Sequence, residues 1–398
     1  MTKFNLAAVL VLAAASAMAI SDGGGGYIYW SLPTPGGAPT SLRIWQMQID
    51  KSWNQVGTAT NKADVPVNTT YPFGNLHFNN NLEVRDPRHL GGMGRLINAT
   101  PRDWQWGEGA DYQVAFDVIQ VNPADWSQTV LCDGVYQGGG KTTQRLKKVL
   151  TAPENWVAPS HGLSLVGLRG YNWEGNVPVL YDSNGDGFIT NNTSEISTLS
   201  ASGNYIEGEM GGDGALYVTA GGALQRIQSS GSTTSFFTPG GGGNPVSAWS
   251  EGCGIAVGSG ASSPVVYLCG MSASSHPTIF ALKDGDGDKV VTPGNPNDTI
   301  AAIWTYGGFG LNVDYDSIYS LEDVEFYQNP ASGTKFLVAH SYYNQVWVVE
   351  LAADGMSAVA GKWIQSVDGG IGPGGYISGF ELDMSPPPSR NGSVVLMR

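Results

Sequence analysis

Two short runs of alternating acids are the residues in this sequence best suited to chemistry. Asp182-Ser-Asn184-Gly-Asp186-Gly187 and Asp284-Gly-Asp286-Gly-Asp288-Lys289 carry oxygen-bearing side chains at every second position. Alternate hard oxygens on a glycine-bearing turn are the donor set of a calcium loop, and the carbonyl of Phe188 falls at the seventh position of the first run. Acids crowded on one turn also repel each other unless a cation sits among them. A loop of the helix–loop–helix kind would carry glutamate at position twelve, where this chain has Thr193, and Glu195 comes two residues later. Ca2+ ligands are therefore expected at Asp182, Asn184, Asp186, Phe188, Asp284, Asp286 and Asp288, on loops between strands. The plainer alternative is a solvated acidic hairpin turn, since Asp-Gly is ordinary turn chemistry.

Other chemistry has little support. His77, His89, His161, His276 and His340 fall in no zinc spacing, and there is no Gly-x-Ser-x-Gly elbow. Arg85-Asp-Pro-Arg-His89 is the densest polar cluster, and its simpler reading is a surface loop. The glycine-rich Gly208–Gly214 run lacks the lysine of a phosphate loop. No catalytic residue is assigned. Trp104-Gln-Trp106 places two indoles on one side of a strand, which would suit stacking on a sugar; packing between sheets is the commoner use of such aromatics. Sequons at Asn68, Asn98, Asn191, Asn192, Asn297 and Asn391 mark surface loops.

The elements that must position these residues are strands. Among 398 residues, 56 are glycine and 22 proline, roughly a fifth of the chain and well above ordinary usage. That content excludes long helices. The 12 Trp, 17 Tyr and 12 Phe exclude disorder, and a net charge of −14 argues against nucleic acid as a partner. Residues 1–19 read as a secretory signal peptide: Lys3, an apolar run from Leu6 to Ala15, then Ala17-Met-Ala19. That run is too short to span a bilayer, and no later segment is long and apolar enough. A secreted, extracellular or cell-surface protein is expected, with residues 20–398 as one domain. Export permits disulfides. Cys253 and Cys269 flank one turn symmetrically and are expected to bridge, closing a ~15-residue loop worth about 3 kcal/mol. Cys132 reads as a buried small hydrophobe.

A repeat organises the chain. Val177–Thr190 lies over Thr278–Thr292, with Asp182, Asn184 and Asp186 falling on Asp284, Asp286 and Asp288, and Ala223–Phe237 fits between them. Arg43–Val56, Phe116–Val130 and Val346–Val359 are weaker copies of strand, polar turn and strand, and Gly379–Met397 adds a last pair. The spacing clusters near fifty residues, the size of a four-stranded blade. The architecture resembles an all-β propeller of six to eight blades, with seven closest to length divided by period; a parallel β-helix is the second choice. The acidic loops resemble the calcium loops of dockerin-like and propeller-repeat proteins, without their fold.

The expected function is that of a non-catalytic, calcium-stabilised extracellular subunit, structural or adhesive. Gly23–Gly26 reads as a tether, so Tyr27, Ile28, Tyr29 and Trp30 form a strand either completing the ring or pairing with the next molecule into a filament. Expected partners are further copies of the chain and extracellular polysaccharide. The alternative is a secreted lyase or lactonase, or a sugar-binding propeller.

Overall fold

The aligned repeats are one piece of structure used six times: the third strand, the turn and the fourth strand of a β-sheet. The computed structural model of the protein describes residues 19–33, 41–66, 82–84, 96–101, 116–122, 125–132, 146–153, 155–169, 176–190, 194–200, 205–220, 222–249, 254–260, 263–313, 316–317, 320–341, 345–365 and 379–384. Apart from a 3-10 turn at Gly308–Gly310, its regular elements are strands.

All strand pairs are antiparallel. The first sheet runs β25 (Gly379–Asp383), β1 (Gly26–Pro33), β2 (Ser41–Ile49) and β3 (Gln55–Pro66). The second comprises β4 (Leu82–Val84), β5 (Leu96–Pro101), β6 (Phe116–Val121) and β7 (Gln128–Cys132), and the third β8 (Leu146–Thr151), β9 (Ser164–Arg169), β10 (Asn176–Tyr181) and β11 (Ile196–Ser200). The fourth holds β12 (Tyr205–Met210), β13 (Leu216–Ala220), β14 (Ala223–Ile227) and β15 (Thr233–Phe237). In the fifth, β16 (Val246–Trp249) and β17 (Ile255–Val257) share the edge of β18 (Val266–Ser272), followed by β19 (Pro277–Lys283) and β20 (Thr299–Thr305). The sixth is β21 (Asp323–Gln328), β22 (Lys335–His340), β23 (Val346–Leu351) and β24 (Ala358–Gln365).

Apolar side chains close these sheets into a propeller. A separate core lies between each successive pair, and the last joins sheet six to sheet one through Trp30, Met47, Trp53, Phe336 and Val348. The inner strands β25, β4, β8, β12, β17 and β21 are neighbours in that order around the ring, and β21 returns to β25. Sandwiching a sheet between two others can bury both faces of its middle strands. Hence Val346–Leu351 is buried at every position and reads as a continuous hydrophobic run. Each large side chain so buried contributes about 1.5–3 kcal/mol.

Seven was the count closest to the repeat arithmetic, yet the described residues form six sheets, five of four strands and one of five. The third strands begin at Ser41, Phe116, Asn176, Ala223, Pro277 and Val346. The fifty-residue period holds only from Asn176 to Pro277, where it was read, and longer connections elsewhere inflate the quotient.

The N-terminal strand is not free. Tyr27, Ile28, Tyr29 and Trp30 pair on one edge with β2 and on the other with β25. Strands near both ends of the chain thus share a sheet, although the closing strand is Gly379–Asp383, and Ser393–Met397 lies outside the described residues. The glycines preceding β1 form no loose tether. Gly23 N–H donates to the Lys51 carbonyl at 2.7 Å, and a Cβ on Gly23 would stand 2.4 Å from the Trp53 ring. A Cβ on Gly26 would stand 2.4 Å from the Asp383 carbonyl oxygen. Close approach of backbone and indole is the reason for glycine here.

His340 ends β22 inside the closing junction. Its side chain is buried, its ring centroid lies 4.9 Å from that of Phe380 on β25, and Nδ1 sits 3.3 Å from the Ser341 carbonyl oxygen. Nε2 is buried without a hydrogen-bond partner among the described residues. Burial pushes its pKa down to about 4, against the smaller opposing effect of the Ser341 carbonyl.

Two outcomes are expected. Gly26→Ala forces Asp383 away from β1 and should cost about 1–3 kcal/mol of stability, while Gly242→Ala, with open space around it, should leave the melting temperature unchanged; calorimetry checks both. The unfolded chain binds a proton at His340 below about pH 6.5, whereas the folded chain resists until about pH 4. Stability should therefore be complete above pH 6.5 and fall as pH drops toward 4, and His340→Phe should flatten that part of the pH–stability curve.

Candidate metal centre

Both acidic runs lie where expected, on the turns between third and fourth strands of sheets three and five. They share a hydrogen-bond scheme residue for residue. Asp182 ends the β10 arm, is buried, and accepts N–H groups from Gly185 at 2.6 Å and Gly187 at 2.8 Å on its two oxygens. Asp284 does the same after β19, accepting from Gly287 at 2.7 Å and Lys289 at 3.0 Å. Asn184 Oδ1 accepts from Asp186 N–H, as Asp286 Oδ1 does from Asp288. Asp186 Oδ1 accepts from Phe188 N–H, as Asp288 Oδ1 does from Val290. Gly187 has φ +81°, and Lys289 at the matching position keeps the same left-handed backbone at φ +71°, a conformation that suits glycine far better than lysine.

One further acid completes each loop. Glu195 accepts N–H groups from Ser183 at 3.2 Å and Thr190 at 2.6 Å, together with both of their hydroxyls. Burial pushes its carboxyl up, but the bonds from Thr190 and Ser183 together outweigh it and hold the group below the usual range. Asp298 plays that part in the second loop, accepting from Gly285 at 3.2 Å and Thr292 at 2.8 Å. Asn295 Nδ2 donates at 2.9 Å to both Asp298 and Asp286. This bond is the largest cause holding the Asp286 carboxyl below its ordinary value.

The second loop gathers three carboxylates, Asp284, Asp286 and Asp298, each with an oxygen within 4.8 Å of the others. That span is about twice a calcium–oxygen bond of 2.3–2.6 Å. Hard, anionic, closely set oxygens fit Ca2+. Asp288, expected as the third carboxylate, accepts from the Val290 N–H at 2.8 Å and is not one of this close trio, which includes Asp298 instead. Among the described residues the first loop brings no such trio of acids together, and its middle position is the neutral Asn184 where the second loop has Asp286. Glu195 and Asp298 each directly precede the fourth strand, at Ile196 and Thr299. An acid placed just before the returning strand was the signal that could have found them.

Each loop also joins two sheets. Ile189 N–H donates at 2.7 Å to the Leu131 carbonyl on β7 of sheet two, and Val291 N–H at 2.7 Å to the Phe236 carbonyl on β15 of sheet four. Ile189 is buried in the core between sheets two and three, and Val291 in that between sheets four and five.

The remaining expected residues are dispersed. The Cys269 N–H donates to the Gly254 carbonyl at 2.9 Å within the expected hairpin; Cys253 lies outside the described residues, so the bridge stays a proposal. Cys132 is buried as expected. His161 precedes β9 in sheet three, His276 lies on the β18–β19 turn of sheet five and His340 ends β22 of sheet six, while His77, His89, the Arg85–His89 cluster, Trp104 and Trp106 lie outside the described residues. Trp30, Trp53, Trp304 and Trp347 are buried between sheets. The Gly208–Gly214 run lets Asp213 meet Arg226 in a buried ion pair at 2.8 Å.

No family model matches this chain, and no curated protein does. Among solved structures it is similar to a candidate 6-phosphogluconolactonase from Bacteroides fragilis, at 12% identity and a TM-score of 0.45, covering 86% of this chain and 82% of that one. A counterpart from Bacteroides uniformis gives 11% identity and a TM-score of 0.46, covering 86% and 83%. The class of protein, a β-propeller, rests on the chain's own sheets and cores.

If the trio holds Ca2+, calorimetric titration should find the affinity lowered about tenfold or more in Asp298→Asn, since one of three charges is removed, and changed by less than about threefold in Asp288→Asn.

Proposed function

We propose that the protein is a secreted, calcium-stabilised β-propeller of six blades that serves as a rigid extracellular subunit, structural or adhesive, rather than as an enzyme. The observation that carries this reading is the double use of the acidic loops: the turns offering oxygens to a cation are also the turns hydrogen-bonded to the preceding sheet. A cation there would act on the joints of the ring and on no reacting molecule. The carboxylates of Asp284, Asp286 and Asp298 would hold Ca2+, and the ion would supply the charge that lets them stay close. Export fits this role, because extracellular calcium is abundant enough for weak sites of 10⁻⁴–10⁻³ M affinity. Filament growth through Tyr27–Trp30 would require breaking its pairing on both edges, so the reading carried forward is a self-contained ring, with the outer strands as the edges open to other copies or to polysaccharide.

Binding only the folded state adds RT ln(1 + [L]/Kd), about 2.7 kcal/mol at a hundredfold excess over Kd. Millimolar calcium should raise the melting temperature over that in chelator, and the Asp284→Asn/Asp286→Asn double variant should lose the difference. Superimposable melting curves for the unaltered chain in both conditions would rule out the calcium reading.

A further inference from the structure

Glu350 is a charged side chain in an unusual setting. It lies on β23, is 9% exposed, and directs both carboxylate oxygens at one residue: Oε2 accepts the Ser21 N–H and Oε1 the Ser21 hydroxyl, each at 2.7 Å. Both donors are neutral. The lysines of the flanking strands are engaged elsewhere, Lys335 Nζ with the Ala353 carbonyl and Lys362 Nζ with Ser52 O and Asn54 Oδ1. Among the described residues no ion pair reaches Glu350. A buried carboxylate without a cation is costly.

The segment that touches it leads to the front of the chain. Asp22 presents its carbonyl to Asn329 Nδ2 at 2.9 Å, Gly23 bonds to Lys51, and Ile20 packs on the core between sheets six and one. Ala19, immediately before, is exposed. Residues 20–26 thus form a strap across the junction where the ring closes.

We propose that removal of residues 1–19 creates the missing cation: the new α-ammonium group of Ile20 pairs with Glu350 and latches the strap across sheets six and one. Hydrolysis of the Ala19–Ile20 peptide bond consumes one water and leaves a carboxylate on Ala19 and the amine on Ile20. The Ile20 nitrogen lies one residue before Ser21 N, within about 3.6 Å along the chain, and Ser21 N is 2.7 Å from Glu350 Oε2, so a small rotation of the freed terminus would bring the ammonium group onto the carboxylate. In the uncut chain the same nitrogen is a neutral amide. Ring closure is then complete only in the processed protein.

The test uses the mature protein. N-terminal sequencing should read Ile20 first, and any other first residue overturns the proposal. Acetylating the α-amino group should lower the melting temperature by about 2–4 °C, while in Glu350→Gln the same acetylation should change it by less than about 1 °C on that scale. An equal shift in both proteins, or none in the unaltered one, overturns it. Should Glu350→Gln fail to fold, a chain with one extra glycine before Ile20 replaces it: moving the amine by one residue should reproduce the acetylated melting temperature, and retention of the full value overturns the latch.

Discussion

Five of the six sheets of this ring depend on a turn that reaches backward. Between the third and fourth strands the chain leaves its own sheet and touches the one before it. In sheet three the contact is the Ile189–Leu131 main-chain bond, and in sheet five its counterpart Val291–Phe236. In sheet one it is Trp53, held at φ +63° and packed on Phe336 of sheet six with centroids 4.9 Å apart. Trp126, at φ +62°, does the same for sheet two against Tyr29 of sheet one. Sheet six uses the Gly355 carbonyl, which accepts the Tyr267 hydroxyl of sheet five at 3.1 Å. Only the turn of sheet four, Gln228–Ser232, closes on itself. There the neighbouring joint is made by Trp156 Nε1, which donates to the Gly214 carbonyl at 2.7 Å.

This constraint explains which turns are acidic. An indole fills a joint by itself and needs no ion. A main-chain bond can hold a joint only if the turn that offers the N–H is rigid. In sheets three and five that rigidity comes from carboxylates tying down successive N–H groups of the turn. Such turns gather negative charge as they gather order, and a divalent cation is the natural complement to three oxygens so placed. The same logic separates the N-terminal segment, where glycine permits contact with Trp53 and a serine fills the space beside Glu350.

Much of this was legible in the sequence, for identifiable reasons. The all-β class followed from glycine and aromatic content, and the repeat showed best where the third strand is buried along nearly its whole length, as in Pro277–Lys283 and Val346–Leu351. The matched aspartates of the two loops proved to be matched in their bonds as well. Sheet number was not legible, because the steps from one third strand to the next, as from Ser41 to Phe116 and from Pro277 to Val346, follow no fixed period. Asp298 was missed, and Glu195 was noticed only as an acid two residues late for a helix–loop–helix site, because the hairpin that brings each back to its loop is not visible in the spacing. Gly23–Gly26 looked like a tether because a glycine required by close packing and one that is merely flexible read alike until the facing side chain, here Trp53, is known.

The central claim is that the acidic turns hold neighbouring sheets together, and native-state hydrogen exchange at two amides tests it most directly. With calcium present, the Ile189 and Val291 amides should exchange as slowly as amides in the middle of β10 and β19, and chelation should accelerate both well before those strands respond. Exchange of both amides at the rate of an open turn, with and without calcium, would contradict the account.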